Sequence, residues 1–528
     1  MPLSLNVPDL EDKPLIQADT HPQKISQFID SLPTASALEA GAALQVEIQM
    51  LNRQRIAPDI RVKALETYRP TLINITETLA TQYCSALLPL PESAQQHAAL
   101  AESLWLELAY GYKLALIDQQ NKLFSLSGSK STAVMIQRAI EAMGQLAMVY
   151  YQTYRLLPES IWTDLHQLYR FAVQNSLQDV GFPGGKETRG TTSVSLTYKQ
   201  VLLMSLTDPQ HLSAHEMKQI AAYIDRHAHH AQLQGLARLE NPAGIFLVKL
   251  DEDKPAAPYQ KKAGNAATSS EILLVTIELA RLAYKHLQIL QNGNVPTKGE
   301  LPDNASEPRY QDILTYLIKR WGSPPKRIFN RLRDSDSVEL GIGINSAHYF
   351  MNGGKPFVAP VNDVTEVSAR VATPRSLSEQ TYKPSQWQAL NISAGGMALR
   401  KLPHTEGSVR IGELLSVKNR FTSNWSVGVL RWANSNEHQQ LDIGAQLIAP
   451  EATAAGARIP NQTDFEPILL LPPIPPLKQA ASIIAACGMY GPARVLQLAE
   501  GGKISRVMIT KLIERTGSFE RFQFSHLT

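Results

Sequence analysis

Asn391-Ile392-Ser393-Ala394-Gly395-Gly396 separates two apolar runs, Trp387 to Leu390 and Met397 to Leu399, and decides how the second half of the chain is read. The flanking runs have strand character, so the six residues form the turn of a strand-turn-strand element. Asn and Ser carry short hydrogen-bonding side chains. Gly395 and Gly396 admit positive φ and leave room for a ligand where a Cβ would stand. Upstream, Arg327-Ile328-Phe329-Asn330-Arg331 sets two guanidinium groups four residues apart, flanked by Lys326 and Arg333 and followed by the strand-like Val338 to Ile344.

These two strings, R-x-x-x-R upstream and N-x-S-x-x-G downstream, resemble the paired signatures of the PilZ domain, a small β-barrel that in many bacteria binds the second messenger cyclic di-GMP. Val409 to Val417, Trp425 to Trp432 and Leu441 to Ile448 look like its later strands, with alternation and β-branched content that suit half-buried positions. The resemblance covers roughly residues 320 to 456, in the C-terminal part of the chain; the helical region before it is not assigned to a family. It implies that Arg327 and Arg331 close over the ligand while Asn391 and Ser393 contact a guanine and a phosphate, and that Gly396 keeps the turn in shape. Gly395, Arg333 and Arg431 are further candidates. The chemistry fits: a planar guanidinium forks onto phosphate oxygens or onto the O6/N7 edge of guanine, and it stacks on bases.

The arginine pair stands roughly sixty positions ahead of the turn, further than in compact PilZ domains. Residues 352–385, with several prolines and few strand-like runs, read as an inserted loop that accounts for the distance. A rival pair, Arg370 and Arg375, lies inside that loop with a spacing one residue too long. Arg327 and Arg331 are preferred because a strand follows them.

At 528 residues the chain has room for about three domains. With 51 Lys+Arg against 48 Asp+Glu, no general surface for DNA, RNA or anionic membranes is expected, and anion recognition has to be local. The two cysteines, Cys84 and Cys487, read as reduced core thiols. No apolar stretch is long enough to span a membrane, and the N-terminus lacks the apolar segment of a secretory signal; a cytoplasmic location is expected.

From about residue 35 to 321 apolar residues recur at three- and four-residue intervals. Helices are expected at Ala35 to Asn52, Pro58 to Leu87, Ser93 to Lys122, Ser131 to Leu157, Ile161 to Ser176, Tyr198 to Leu206, Ala214 to Gln234, Ser269 to Gln291 and Glu307 to Trp321. The reading is thus multi-domain: a flexible segment 1–34, a mostly α-helical bundle or solenoid-like domain 35–321, a PilZ-like antiparallel β-barrel 322–456, and a Pro-rich connector with a small β-rich region over 457–528. Whether those last strands stand alone or extend the barrel is left open.

No catalytic constellation emerges, and no zinc or phosphate-loop motif: Gly181 to Lys186 has the wrong glycine spacing, and Glu187 stands where Ser or Thr would hold magnesium. His227, His229 and His230 read as one exposed helical face, without a metal. The expectation is a non-enzymatic cyclic di-GMP receptor without a further cofactor, passing its signal to the helical domain or to a protein partner bound there. The alternative is a ligand-independent adaptor built on a degenerate PilZ barrel.

Overall fold

The computed structural model describes residues 3–11, 17–120, 128–183, 190–236, 242–260, 270–294, 299–322, 332–360, 381–420, 424–436, 440–460, 462–475 and 479–527. The chain divides into two compact units, Met1–Ala86 with Leu90–Lys326, and Leu87–Pro89 with Arg327–Thr528.

In the first unit the helices α1 (Pro22–Ser31), α2 (Ala37–Arg53), α3 (Pro58–Cys84), α4 (Glu92–Gln120), α5 (Ser129–Gln152) and α6 (Ile161–Gln174) come first. The two-residue strands β1 (Phe182–Pro183) and β2 (Thr191–Thr192) then pair, followed by α7 (Val194–Leu206) and α8 (Ala214–His227). Helix starts follow local chemistry: Pro58 opens α3, Ser36 caps α2, and Ser213 with Glu216 closes a capping box on α8. α4 packs against α2, α3 and α5, so this part is a bundle. Where α3 and α4 cross, a Cβ on Gly111 would come within 2.6 Å of Leu65 Cδ1.

A four-stranded antiparallel sheet completes the unit, in the order β3 (Gln232–Gly235), β6 (Glu271–Val275), β4 (Ile245–Lys249), β5 (Ala257–Pro258), together with α9 (Ile277–Gln291) and α10 (Pro308–Gly322). Sequence periodicity had assigned Gln232 to Gln234 and Glu271 to Val275 to helices. The run Ile272 to Val275 leads straight into α9, and its short apolar stretch fits either period. The break falls at Thr276, whose buried hydroxyl donates to Trp321 O at 2.6 Å and lies 3.1 Å from Gly244 O. The expected flexible N-terminal segment contains α1, which buries Ile25.

In the second unit β7 (Leu332–Arg333) and β8 (Ser337–Ile342) precede a short helix α11 (Ile344–Met351) and then β9 (Ser385–Ser393), β10 (Gly396–Lys401), β11 (Leu414–Asn419), β12 (Ser426–Ser435) and β13 (Leu441–Ala449). Around the ring, β8 pairs with β9, β9 with β10, β10 with β13, β13 with β12, β12 with β11 and β11 with β8, all antiparallel. This closes a six-stranded barrel, with β7 beside the far end of β9. Closure leaves the six described barrel strands paired on both sides, and Trp387, Leu399, Leu430, Ala433 and Ile443 are fully buried.

The tail is a second closed barrel of β14 (Thr453–Arg458), β15 (Glu466–Leu471), β16 (Ser482–Ala485), β19 (Glu520–His526), β18 (Lys503–Arg515) and β17 (Val495–Glu500), in that order. It is filled by Ile468, Ile483, Leu496, Val507 and Phe522 among others. Two expectations change here. Pro467 to Leu471, read as connector, is strand β15, because proline at its start still permits an extended chain. The PilZ-like barrel is also central, since another barrel follows it. Val427, Val429 and Ile448 of the first barrel pack on Leu469, Leu471, Ile484 and Phe519 of the second, so the two share an apolar seam.

Candidate functional site

Along β9 residues alternate between the barrel interior and its outer face, and a register shift beside Leu390 resets that alternation. Asn391 then pairs with Ala398 and Ser393 with Gly396, which puts Asn391 and Ser393, two apart, on the same outward face. Ser393 Oγ donates to Gly396 O at 3.0 Å, closing the turn. Gly395 O accepts from Leu447 N at 3.2 Å, which ties the turn to β13. A Cβ on Gly396, at φ +158°, would overlap Ala445 O and stand 3.1 Å from Gln446 Cα. This glycine is fixed by the close passage of β13, so its role is to let the turn lie flat on the neighbouring strand.

Arg333, in β7, lies directly opposite Asn391 in the β7–β9 register and is exposed. Directly opposed residues in an antiparallel pair stand about 4.5–5.5 Å apart at Cβ on one face. Among the described residues no carboxylate pairs with Arg333. Arg327, Arg331, Arg370 and Arg375 lie outside the described residues.

Followed the other way, the same cross-strand row runs from Asn391 through Ala398 to Gly444 and then Trp432. Gly444 has no side chain because the Trp432 indole occupies that space; a Cβ there would overlap Nε1. The row thus runs from an exposed guanidinium through a half-buried amide and a buried methyl group to a backbone covered by a half-buried indole. Trp432 was not singled out in sequence, where it is merely the last residue of a strand-like string.

Arg431 sits at a second register shift. Its Nε donates to Gln446 Oε1 at 2.7 Å, and its guanidinium pairs with Glu514 of the second barrel. Gln446 in turn lies opposite Gly396. Arg431 therefore sits at the margin of the turn with its charge already engaged. Arg400 makes a two-pronged pair with Asp442, at 2.7 and 2.8 Å.

Other expected features resolve differently. His227 is buried, its Nε2 2.7 Å from Glu300 O, and burial pushes its pKa down to about 4; only His229 and His230 are exposed. Among the described residues no group of His, Cys, Asp and Glu could hold a metal ion. Cys487 is exposed, contrary to the expected core thiol, while Cys84 is partly buried, which raises its pKa to about 11. No described helix is long and apolar enough to cross a membrane.

Comparison with known proteins matches three consecutive parts of the chain to family models. They are the N-terminal domain of the cyclic-di-GMP receptor FimW (residues 23–239), its middle PilZ domain (245–376 and 362–454) and its C-terminal β-barrel domain (454–527). The cyclic-di-GMP receptor FimW of Pseudomonas aeruginosa is 24% identical over 579 aligned positions, covering 99% of this chain and 93% of the relative. The fold and the turn thus define a PilZ-domain protein, with the PilZ domain in the middle of the chain. More particularly, the chain is similar to the FimW receptor from residue 23 to residue 527, including the helical part that the sequence reading assigned to no family. The middle model begins at residue 245, so it takes in the β4–β6 sheet, α9 and α10 ahead of the expected boundary at 322.

Proposed function

We propose that this chain is a non-enzymatic receptor for cyclic di-GMP that binds the dinucleotide on the outer face of its PilZ barrel. The observation that carries the reading is the row Arg333, Asn391, Ala398, Gly444, Trp432 beside the signature turn. Each member suits a part of the ligand. Arg333, with Arg327 and Arg331 just ahead of it in sequence, supplies guanidinium groups for phosphate and guanine. Asn391 and Ser393 supply short polar side chains, and the indole of Trp432 offers a π-face for a purine. Arg370 and Arg375 are the alternative pair. The relative's name, cyclic-di-GMP receptor, supports the same assignment.

Ligand binding draws the arginine segment onto the barrel, and the helical domain carries the signal to a protein partner in the cytoplasm. Such a switch moves its equilibrium only by the difference in ligand affinity between two states. The test is thermal unfolding of the full-length protein with and without the dinucleotide. A ligand at a hundred times its Kd stabilises the folded state by about 2.7 kcal/mol. A rise in midpoint with cyclic di-GMP and none with GTP is expected; no rise at saturating concentrations would leave the barrel as a scaffold for protein contacts.

A further inference from the structure

A cleft of about 290 Å³ opens between α5, α7 and α8 of the helical unit, and none of the residues assigned above lines it. That volume is at the small end for ligand pockets. Val201 and Met204 of α7 and Ile224 of α8 form a buried apolar floor, with Met148 of α5 on the wall. The buried polar groups there satisfy one another: Gln137 Nε2 donates to Thr197 Oγ1 at 3.1 Å, and the Thr197 and Thr192 hydroxyls lie 3.4 Å apart.

The charges are one-sided. Glu141, on the wall, is held by Arg69 at 2.8 Å and Arg138 at 3.0 Å, and Arg138 also pairs with Glu66 at 3.1 Å. Two arginines and two glutamates make that network neutral. Asp225, exposed at the mouth, accepts from Gln200 Nε2 at 2.8 Å, and the described lining includes no Lys, Arg or His. A carboxylate offers about four acceptor positions, so most of its capacity remains.

We propose that this cleft binds a small aliphatic amine, with the ammonium on the Asp225 carboxylate at the mouth and the hydrocarbon tail on Val201, Met204 and Ile224. An amphipathic guest lies this way round because its head stays hydrated while its stem is buried. The buried polar groups Gln137, Thr197 and Thr192 have their partners already, so nothing deep in the cleft calls for a charge. This site is independent of nucleotide binding at the barrel.

The experiment is calorimetric titration of the full-length protein with n-hexylamine, n-hexanol and Nα-acetyl-lysine amide, repeated on Asp225→Asn and Ala221→Phe variants. Saturable binding of hexylamine is expected, with hexanol weaker by about fivefold and Asp225→Asn removing that preference. Ala221→Phe, which fills the cleft from α8, should abolish binding of both; Asp225→Asn, at an exposed position, should leave the unfolding midpoint unchanged. Equal affinity for hexanol and hexylamine, or no saturable heat from either, overturns the proposal. Tighter binding of the lysine derivative also overturns it, since a lysine side chain must enter ammonium first.

Discussion

The indole of Trp432 lies across Gly444 on the neighbouring strand, in the space a side chain at position 444 would need. The backbone of Gly444 is thereby covered and Ala398 beside it is buried, so at this end of the row it is the indole that remains partly exposed. A planar base at this face has the partly exposed indole to stack on. Stacking of one base on an aromatic side chain is worth about 1–3 kcal/mol. Trp432→Ala should therefore weaken cyclic di-GMP binding by about 1–3 kcal/mol in calorimetry with the fold intact, and an affinity within about twofold of wild type would remove the indole from the site.

Gly444→Ala should displace the same indole from beneath. It should lower stability by about 1–3 kcal/mol as overpacking does, and weaken nucleotide binding together with it. Chemical denaturation and calorimetry on one preparation separate the two effects. Gly396→Ala is expected to be at least as destabilising, because its new Cβ meets the backbone of β13, which yields less readily than a side chain.

Arg333 faces Asn391 with no acidic partner among the described residues. Arg333→Ala should weaken binding by about 1.5–3 kcal/mol, the range for hydrogen bonds to charged groups, without moving the unfolding midpoint. Arg333→Lys should recover little, since an ammonium does not reproduce the planar fork. Recovery by lysine would show that only net charge matters there.

Arg431 is held by Glu514 and Gln446 at the margin of the turn. Glu514→Gln frees its charge while keeping the side chain's size. The partly exposed pair contributes about 0.2–1 kcal/mol, so stability should fall little. Affinity for the dinucleotide should rise if Arg431 reaches a phosphate, and a titration on this variant measures it.

His227 sets a pH limit on the helical unit. Its folded pKa, about 4, is depressed below the ordinary 6.5, so the stability it supports is complete above about pH 6.5. Below that the unfolded chain takes up a proton that the folded one refuses, and stability declines until pH about 4, by up to about 1.4 kcal/mol per pH unit from this group. His227→Gln should flatten that slope in denaturation between pH 4 and 7, and an unchanged slope would assign it to other groups.

Much of this architecture was legible because local chemistry and tertiary structure agree. Pro58 and the apolar period marked the starts of α3 and α8, and the strand-turn-strand at Asn391 to Gly396 is observed as β9 and β10. Failures came where one pattern serves two structures. Ile272 to Val275 runs into a helix and so read as one, and the prolines around Pro467 to Leu471 masked a strand. The Trp432–Gly444 contact and the Arg333–Asn391 pair were illegible for another reason: both depend on register between strands far apart in sequence, shifted by bulges at Leu390 and Arg431 that no local signal announces.

The most direct measurement is calorimetric titration of cyclic di-GMP into the full-length protein and, in parallel, into its Arg331→Ala and Asn391→Ala variants. The account expects saturable binding by wild type and its loss, or a weakening of at least about tenfold, in both variants. Wild-type binding that survives both substitutions unchanged would contradict it, because the nucleotide would then sit elsewhere than on the outer face of the PilZ barrel.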